Sequence, residues 1–359
     1  MINLPNLLKA MLEHKASDMH ITSGSPPTFR VHGTVVRAKA QSLTPAETKE
    51  LCYSVLTDYQ KATFEEQKQL DFSFGIRDLA RFRANVYFQR GAVAGAFRHI
   101  PFEIPRMSTL GLPAPVEQLM RKPRGLVLVT GATGSGKSTT LASMIDALND
   151  TERLHIITIE DPIEYIHSHR NCLINQREVG QDTKTFALAL KAALREDPDV
   201  VLVGEMRDKE TIETALTLAE TGHLVLSTLH TNSAYQSITR IIQVFPSDQQ
   251  DQIKLQLSMV LEGILTQALV ERCDRPGRAL ALELMIPNAS IRNLIRENKL
   301  FQIPSAMLIG QEHTGMLTFN QSLVQLVRKK IVSADVALEY SPDPDDLVKT
   351  LSDIYRKAS

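Results

Sequence analysis

Gly131-Ala132-Thr133-Gly134-Ser135-Gly136-Lys137-Ser138-Thr139 is the stretch whose reading decides the fold. It follows an apolar run, Leu126-Val-Leu-Val-Thr130, and leads into the helix-like segment Thr139–Leu148. Strand, glycine loop and helix in that order form a phosphate site for a chemical reason. Glycines let the backbone turn its N–H groups around phosphate oxygens. Lys137 is expected to reach the β/γ-phosphates and Ser138 to ligate Mg²⁺. The helix N-terminus adds partial positive charge. This pattern predicts nucleoside triphosphate binding, with ATP and Mg²⁺ as ligands and residues 131–139 as the cradle.

Outward from the loop, strand-like and helix-like segments alternate. Strands are expected at 125–130, 154–160, 199–204 and 223–228, with helices at 137–148, 185–196 and 209–221. Val200-Val-Leu-Val203 is continuously apolar, as a strand covered on both faces must be. Phe186, Leu190 and Leu194 line one stripe of the predicted helix 185–196. The fold class is therefore α/β, a parallel sheet with helices on both faces. Beyond residue 285 the chain reads as mainly helical. Residues 1–100 combine an amphipathic helix (Leu4, Leu7, Leu8, Met11, Leu12) with short strands such as 28–32 and 81–89. In the second strand Phe82, Ala84 and Val86 alternate with Arg81, Arg83 and Asn85, so a small α+β domain is expected. Pro101, Pro105, Pro113, Pro115 and Pro123 then mark a linker or an extended crossover, and 101–115 is taken as the proline-rich linker or hinge between domains. Domains are expected at 1–100, 116–285 and 286–359.

Composition narrows the function. The 359 residues are 43% hydrophobic and 23% charged, with a net charge of −1 and no polybasic block, which disfavours a nucleic-acid binder. Cys52, Cys172 and Cys273 are far apart and form no CxxC pair, so neither a disulfide framework nor a cysteine zinc site is indicated. The N-terminus lacks the features of a signal peptide, and no apolar run approaches the ~18 residues of a membrane span. The expected location is cytoplasmic, with any membrane association supplied by a partner.

Four further groups carry chemistry. Asp199–Glu205 reads as a strand ending in an acid, and Glu205 could polarise the water that attacks the γ-phosphate or hold a Mg²⁺ ligand. Glu160, Asp161 and Glu164 follow the preceding strand, and close carboxylates call for a counter-charge such as Mg²⁺ or for solvent. His223 and His230 bracket another strand, so that both could lie near the site. Arg195 and Arg207 flank the acidic strand and Arg83 and Arg98 lie in the first domain, as candidates to neutralise transition-state charge.

Together these stretches resemble the Walker A, Asp box, Walker B and His box of the secretion-superfamily ATPases that serve type II secretion and type IV pili. The resemblance runs over nearly the whole chain. Ile291-Arg-Asn-Leu-Ile-Arg-Glu297 is similar to the AIRNLIRE motif of that family's retraction motors, with Ser290 in place of the leading Ala. The resemblance implies a RecA-like P-loop ATPase core, an N-terminal PAS-like domain beginning near Ala16-Ser-Asp-Met-His20-Ile, and a C-terminal helical region. It further implies a homohexamer acting on an inner-membrane pilus platform protein from its cytoplasmic face. Glu205 would be the catalytic acid, with Glu160 and Glu164 assisting at Mg²⁺ and water. Ser138, Glu160 and Glu205 would serve the metal, and Arg83 and Arg98 would reach the nucleotide from the N-terminal domain. His223 and His230 would couple nucleotide state to the ring. The alternatives are an extension or type II secretion ATPase of the same family, a P-loop nucleic-acid motor, and a non-motor ATP switch.

Overall fold

The computed structural model describes residues 3–31, 33–76, 79–100 and 103–358. The chain forms two compact units, one of residues 1–103 with 162–166 and the other of 104–161 with 167–359. Two positions used in the sequence reading, His32 at the end of a predicted strand and Pro101 in the predicted hinge, lie outside the described residues.

The first unit runs α1 (Leu4–Glu13), β1 (Ala16–Ile21), β2 (Thr28–Val31), β3 (Thr34–Arg37), α2 (Pro45–Tyr53), α3 (Asp58–Gln67), β4 (Gln69–Ile76), β5 (Ala80–Gln89) and β6 (Ala92–Ile100). Its strands make a six-stranded sheet in the order β3-β2-β1-β6-β5-β4. The alternation read from the sequence holds, since Phe82, Ala84 and Val86 are fully buried and pack with Leu4, Leu8 and Met11 of α1. Helices α2 and α3 went unread because their apolar stripes are thin. Local chemistry places them instead, through capping boxes in which Thr44 pairs with Glu47 and Thr57 with Gln60. The opposite sheet face is polar. Arg30, Asp18, Arg98, Arg83 and Ser73 lie in one cross-strand row over β2, β1, β6, β5 and β4. Like charges directly opposite repel, and Asp18 offsets part of this by accepting from Arg98 Nε at 2.8 Å.

The second unit begins with α4 (Pro115–Met120) and continues β7 (Gly125–Thr130), α5 (Lys137–Thr151), β8 (His155–Glu160), β9 (Leu173–Glu178), α6 (Phe186–Ala193), β10 (Val200–Val203), α7 (Lys209–Glu220) and β11 (Leu224–Leu229). Then follow α8 (Ala234–Gln243), α9 (Gln250–Val260), β12 (Leu261–Glu271) and β13 (Arg278–Met285). Six helices close the chain: α10 (Ala289–Arg296), α11 (Ile303–Met307), α12 (Gln311–Thr314), α13 (Phe319–Arg328), α14 (Ala334–Tyr340) and α15 (Pro344–Ala358). The sheet has seven strands in the order β13-β12-β7-β11-β10-β8-β9. All neighbours are parallel except β12 and β13.

Strand periodicity sends alternate side chains to opposite faces. Leu126, Leu128, Ile157, Ile159, Val201 and Val203 pack under helices α6 to α9. Val127, Val129, Ile156, Val200 and Leu202 pack under α4 and α5. Helix α6 is shorter than its periodicity implied, and Leu194 is 38% exposed instead of completing the stripe. After Ala193 the chain tightens into i→i−3 bonds, with the Arg195 N–H donating to the Ala192 carbonyl at 2.9 Å and the Glu196 N–H to Ala193 at 3.0 Å, and Asp197 then turns away at φ +53°. Strands β9, β12 and β13 were not anticipated. Pro105, from the proline-rich stretch, accepts a hydrogen bond from Ser143 Oγ of α5 at 2.6 Å. Among the described residues no helix is long and apolar enough to cross a membrane.

Leu128 lies at the centre of β7 with no exposed surface. Leu128→Ala should therefore cost about 2–5 kcal/mol through lost burial and the cavity left behind. A lowered denaturant midpoint with an unchanged slope is the expected equilibrium-unfolding result.

Candidate active site

The parallel strands deliver their C-terminal ends to one edge of the sheet, where α/β folds bind ligands. Thr130 of β7 pairs in register with Leu229 of β11 and with Thr266 of β12. The glycine loop, Glu160, Glu205 and His230 consequently leave the sheet on the same side.

The loop backbone is tightly enclosed. Gly131 has φ +139°, and a Cβ there would lie 2.3 Å from the carbonyl oxygen of Gln267 and 2.7 Å from Ser135 Oγ. Only glycine fits. Gly136, at φ +92°, precedes α5 without a side-chain cap, so the helix dipole and its first N–H groups face the loop. Lys137 is 8% exposed. Its ammonium donates to the carbonyls of Gly131 at 2.9 Å and Ala132 at 3.0 Å, which hold a positive charge inside the loop. Beside the loop opens a cavity of about 500 Å³, whose lining includes Thr133, Ser135, Gln267, Arg278 and Tyr340. Ser135 Oγ and Gln267 Oε1 are buried without a hydrogen-bond partner among the described residues. A cationic cradle at a helix N-terminus with unsatisfied polar atoms suits a polyphosphate ligand with a polar attached group.

Glu205 follows β10. It pairs with Arg207 Nη2 at 2.7 Å and lies 3.3 Å from His230 Nε2. Partial burial pushes the Glu205 carboxyl upward, but the Arg207 hydrogen bond and the His230 and Arg207 charges outweigh it and hold it below the usual glutamate range. The same hydrogen bond raises Arg207. Glu160 accepts from Thr158 Oγ1 at 2.7 Å and from Gln176 Nε2 at 3.2 Å. Among the described residues no group of three acidic, histidine or cysteine side chains forms a ready metal cage. A hydroxyl at Ser138 with separate carboxylates at Glu160 and Glu205 matches the way Mg²⁺ is held, through few protein ligands and the substrate's phosphates.

Of the other expected site residues, two lie at the far edge of this sheet and three belong to the first unit. His223 precedes β11, and its ring contacts the Leu218 carbonyl at 3.1 Å at the C-terminal end of α7. A six-residue strand spans about 20 Å, so His223 sits at the opposite sheet edge from His230. Arg195 is exposed beyond α6, at the edge where β10 begins. Arg83 and Arg98 are cross-strand neighbours in the first unit. Glu164 falls in the segment 162–166 that groups with that unit.

Several contributors went unread. Gln267 closes over Gly131 and donates to Thr140 Oγ1 at 2.9 Å. Glu283 accepts the Ala234 N–H at 2.6 Å and anchors α8 just after His230. Burial drives the Glu283 carboxyl upward. No local pattern marks either residue, because β12 and β13 meet the loop only through sheet pairing.

A family profile described as type II/IV secretion system protein matches residues 2–307. The chain belongs to this family. Within the type II/IV secretion family it is 46% identical over 345 residues to a Pseudomonas aeruginosa protein named type IV pilus retractation ATPase PilT, covering 96% of this chain and 100% of that one. It is 45% identical over 329 residues to a Neisseria gonorrhoeae twitching motility protein, covering 90% of this chain and 88% of that one. A crystal structure of the pilus retraction motor PilT with bound ADP superposes with a TM-score of 0.92 at 52% identity, covering 97% of this chain and 100% of that chain. The fold is thus the RecA-like P-loop ATPase core of this family.

Two outcomes follow from the geometry. Gly131→Ala should abolish binding of a fluorescent ADP analogue, because the loop cannot admit a Cβ. Glutamate in the unfolded chain titrates near 4.5 and Glu205 titrates lower when folded. The contribution of its ion pair to stability is complete above that value and is lost as pH falls through the folded one. Arg207→Ala should shift the Glu205 carboxyl-carbon NMR midpoint upward.

Proposed function

We propose that this protein is an ATP-hydrolysing hexameric motor that powers type IV pilus retraction. The observation that carries the ATPase reading is the convergence of the Lys137 loop, Glu160 and the Glu205–Arg207–His230 cluster on one sheet edge. The retraction reading is supported by 46% identity over 96% of the chain to a protein named for pilus retraction. The segment Ser290–Glu297 supports it too, because it is similar to a motif of retraction motors.

In this reading residues 131–139 bind the phosphates, with Lys137 against the β/γ oxygens. Ser138, with Glu160 and Glu205, serves Mg²⁺, which when bound neutralises phosphate charge. Glu205 takes the proton of the attacking water, and its depressed pKa keeps it ionised. Its pairing with Arg207 and His230 sets the carboxylate's direction. Glu164 assists from its loop. Arg83, Arg98 and Arg195 are arginines that meet developing phosphate charge in the assembled ring. His230 reports nucleotide state through Glu205, and His223 relays it from the far sheet edge.

The proposed domains are a PAS-like region over 1–100, a hinge over 101–115, the ATPase core over 116–285 and a helical region over 286–359. ATP-driven conformational steps, passed round the ring, would move a membrane platform protein at the cytoplasmic face of the inner membrane.

Lys137→Ala should weaken ATP binding by roughly 10- to 100-fold, through loss of charge-assisted hydrogen bonds. Glu205→Ala should leave binding intact and slow turnover by about 100-fold or more. In cells lacking this gene, surplus pili that fail to shorten, rescued by the wild type and not by Glu205→Ala, are the expected phenotype. Bald cells would indicate extension, and normal pili with normal retraction would overturn the motor reading.

A further inference from the structure

Strand β8 ends at Glu160, and the chain re-enters the second unit at His167. Between these feet, residues 162–166 group with the first unit. Gln176 of the edge strand β9 touches both feet. The His167 backbone N–H donates to Gln176 Oε1 at 2.8 Å, and Gln176 Nε2 donates to Glu160 Oε1 at 3.2 Å. The orientation of this carboxamide is set by its partners. A backbone N–H only donates, so the amide oxygen must face His167, which leaves the NH₂ for the Glu160 carboxylate.

The sheet supports the arrangement. Gln176 pairs in register with Thr158, two residues before Glu160, so Thr158, Glu160 and Gln176 share one face. The Thr158 hydroxyl donates to the same Glu160 oxygen at 2.7 Å. Two neutral donors thus converge on one carboxylate oxygen and leave the second oxygen's direction fixed. His167 is itself 8% exposed, so this foot is an anchored point of the chain.

We propose that Gln176 is a positioning residue, a single carboxamide that clamps both feet of the 161–166 loop and aims the Glu160 carboxylate. The inference rests on the role assigned to Glu160 in the proposed function. Gln176 touches neither nucleotide nor metal in this scheme and acts through Glu160 and the loop.

The test uses the full-length assembled protein and two substitutions that separate the hydrogen bonds. Gln176→Met keeps length and loses both bonds, while Gln176→Glu keeps the acceptor for His167 and loses the donor to Glu160. Amide hydrogen exchange at His167 and steady-state ATP turnover are measured on each, with Glu160→Gln as the reference. Gln176→Met should exchange the His167 amide roughly tenfold faster and lower kcat roughly tenfold with KM nearly unchanged. Gln176→Glu should retain wild-type protection at His167 yet lower kcat as much as Gln176→Met. Unchanged His167 exchange in Gln176→Met would overturn the clamp, and wild-type kcat in Gln176→Glu would overturn the aiming of Glu160. A lowered melting temperature with intact kcat in both variants would reduce Gln176 to a purely structural role. If Glu160→Gln itself turned over normally, the site reading would have failed. A dead Glu160→Gln beside fully active Gln176 variants would sink only this inference.

Discussion

The parallel hydrogen bonding of β7, β8, β10 and β11 is the constraint on which the ATPase unit depends. Their inner residues are buried on both faces, so those strands have no place along their length for a charged side chain. Polar chemistry is driven to the ends. Because the strands share one direction, the glycine loop, Glu160, Glu205 and His230 emerge together although they are spread over a hundred residues of chain. The same rule separates His223 and Arg195 from them.

At that edge the protein carries the electrostatic cost of burying charge by pairing it locally. Lys137 is held by two loop carbonyls, and Glu205 by Arg207 and His230. Unpaired, either charge would be expensive to bury. Paired, each is fixed in direction, and its partners hold the Glu205 carboxyl below the usual glutamate range. Among the described residues, Ser135 Oγ and Gln267 Oε1 beside the cavity are buried polar atoms with no hydrogen-bond partner. Unsatisfied groups of this kind are rare in folded proteins, and both of these residues line the cavity beside the glycine loop.

The first unit solves a different problem. Its antiparallel sheet buries one face on α1 and leaves the other polar, where Asp18 sits opposite Arg98 and Arg30. Burial raises the Asp18 carboxyl, yet hydrogen bonds from Ser17 and Arg98 lower it further, so the acid stays charged. Arg83 stands next in the row, so the face concentrates cationic groups without requiring a basic protein overall.

The glycine loop, the central strand and helix around it, and the parallel α/β class were all legible in the sequence. Each depends on short-range chemistry, either glycine at positive φ, continuous apolar runs or helical periodicity. Glu205 was legible too, as an acid closing such a run. Resemblance to a family added the remaining roles. What the chain could not disclose locally was which ends meet. Two histidines at the ends of one strand look alike in sequence, and only the direction of sheet pairing places His230 on Glu205 and His223 about 20 Å away. Gln267, Glu283 and Gln176 carry no motif, because their importance comes from strands that pair across long stretches of chain. Sequence determined which residues have chemistry to offer, because side-chain type and local spacing suffice for that. Tertiary structure decided which of them share a site, because that depends on strand order and direction, set by burial over the whole sheet.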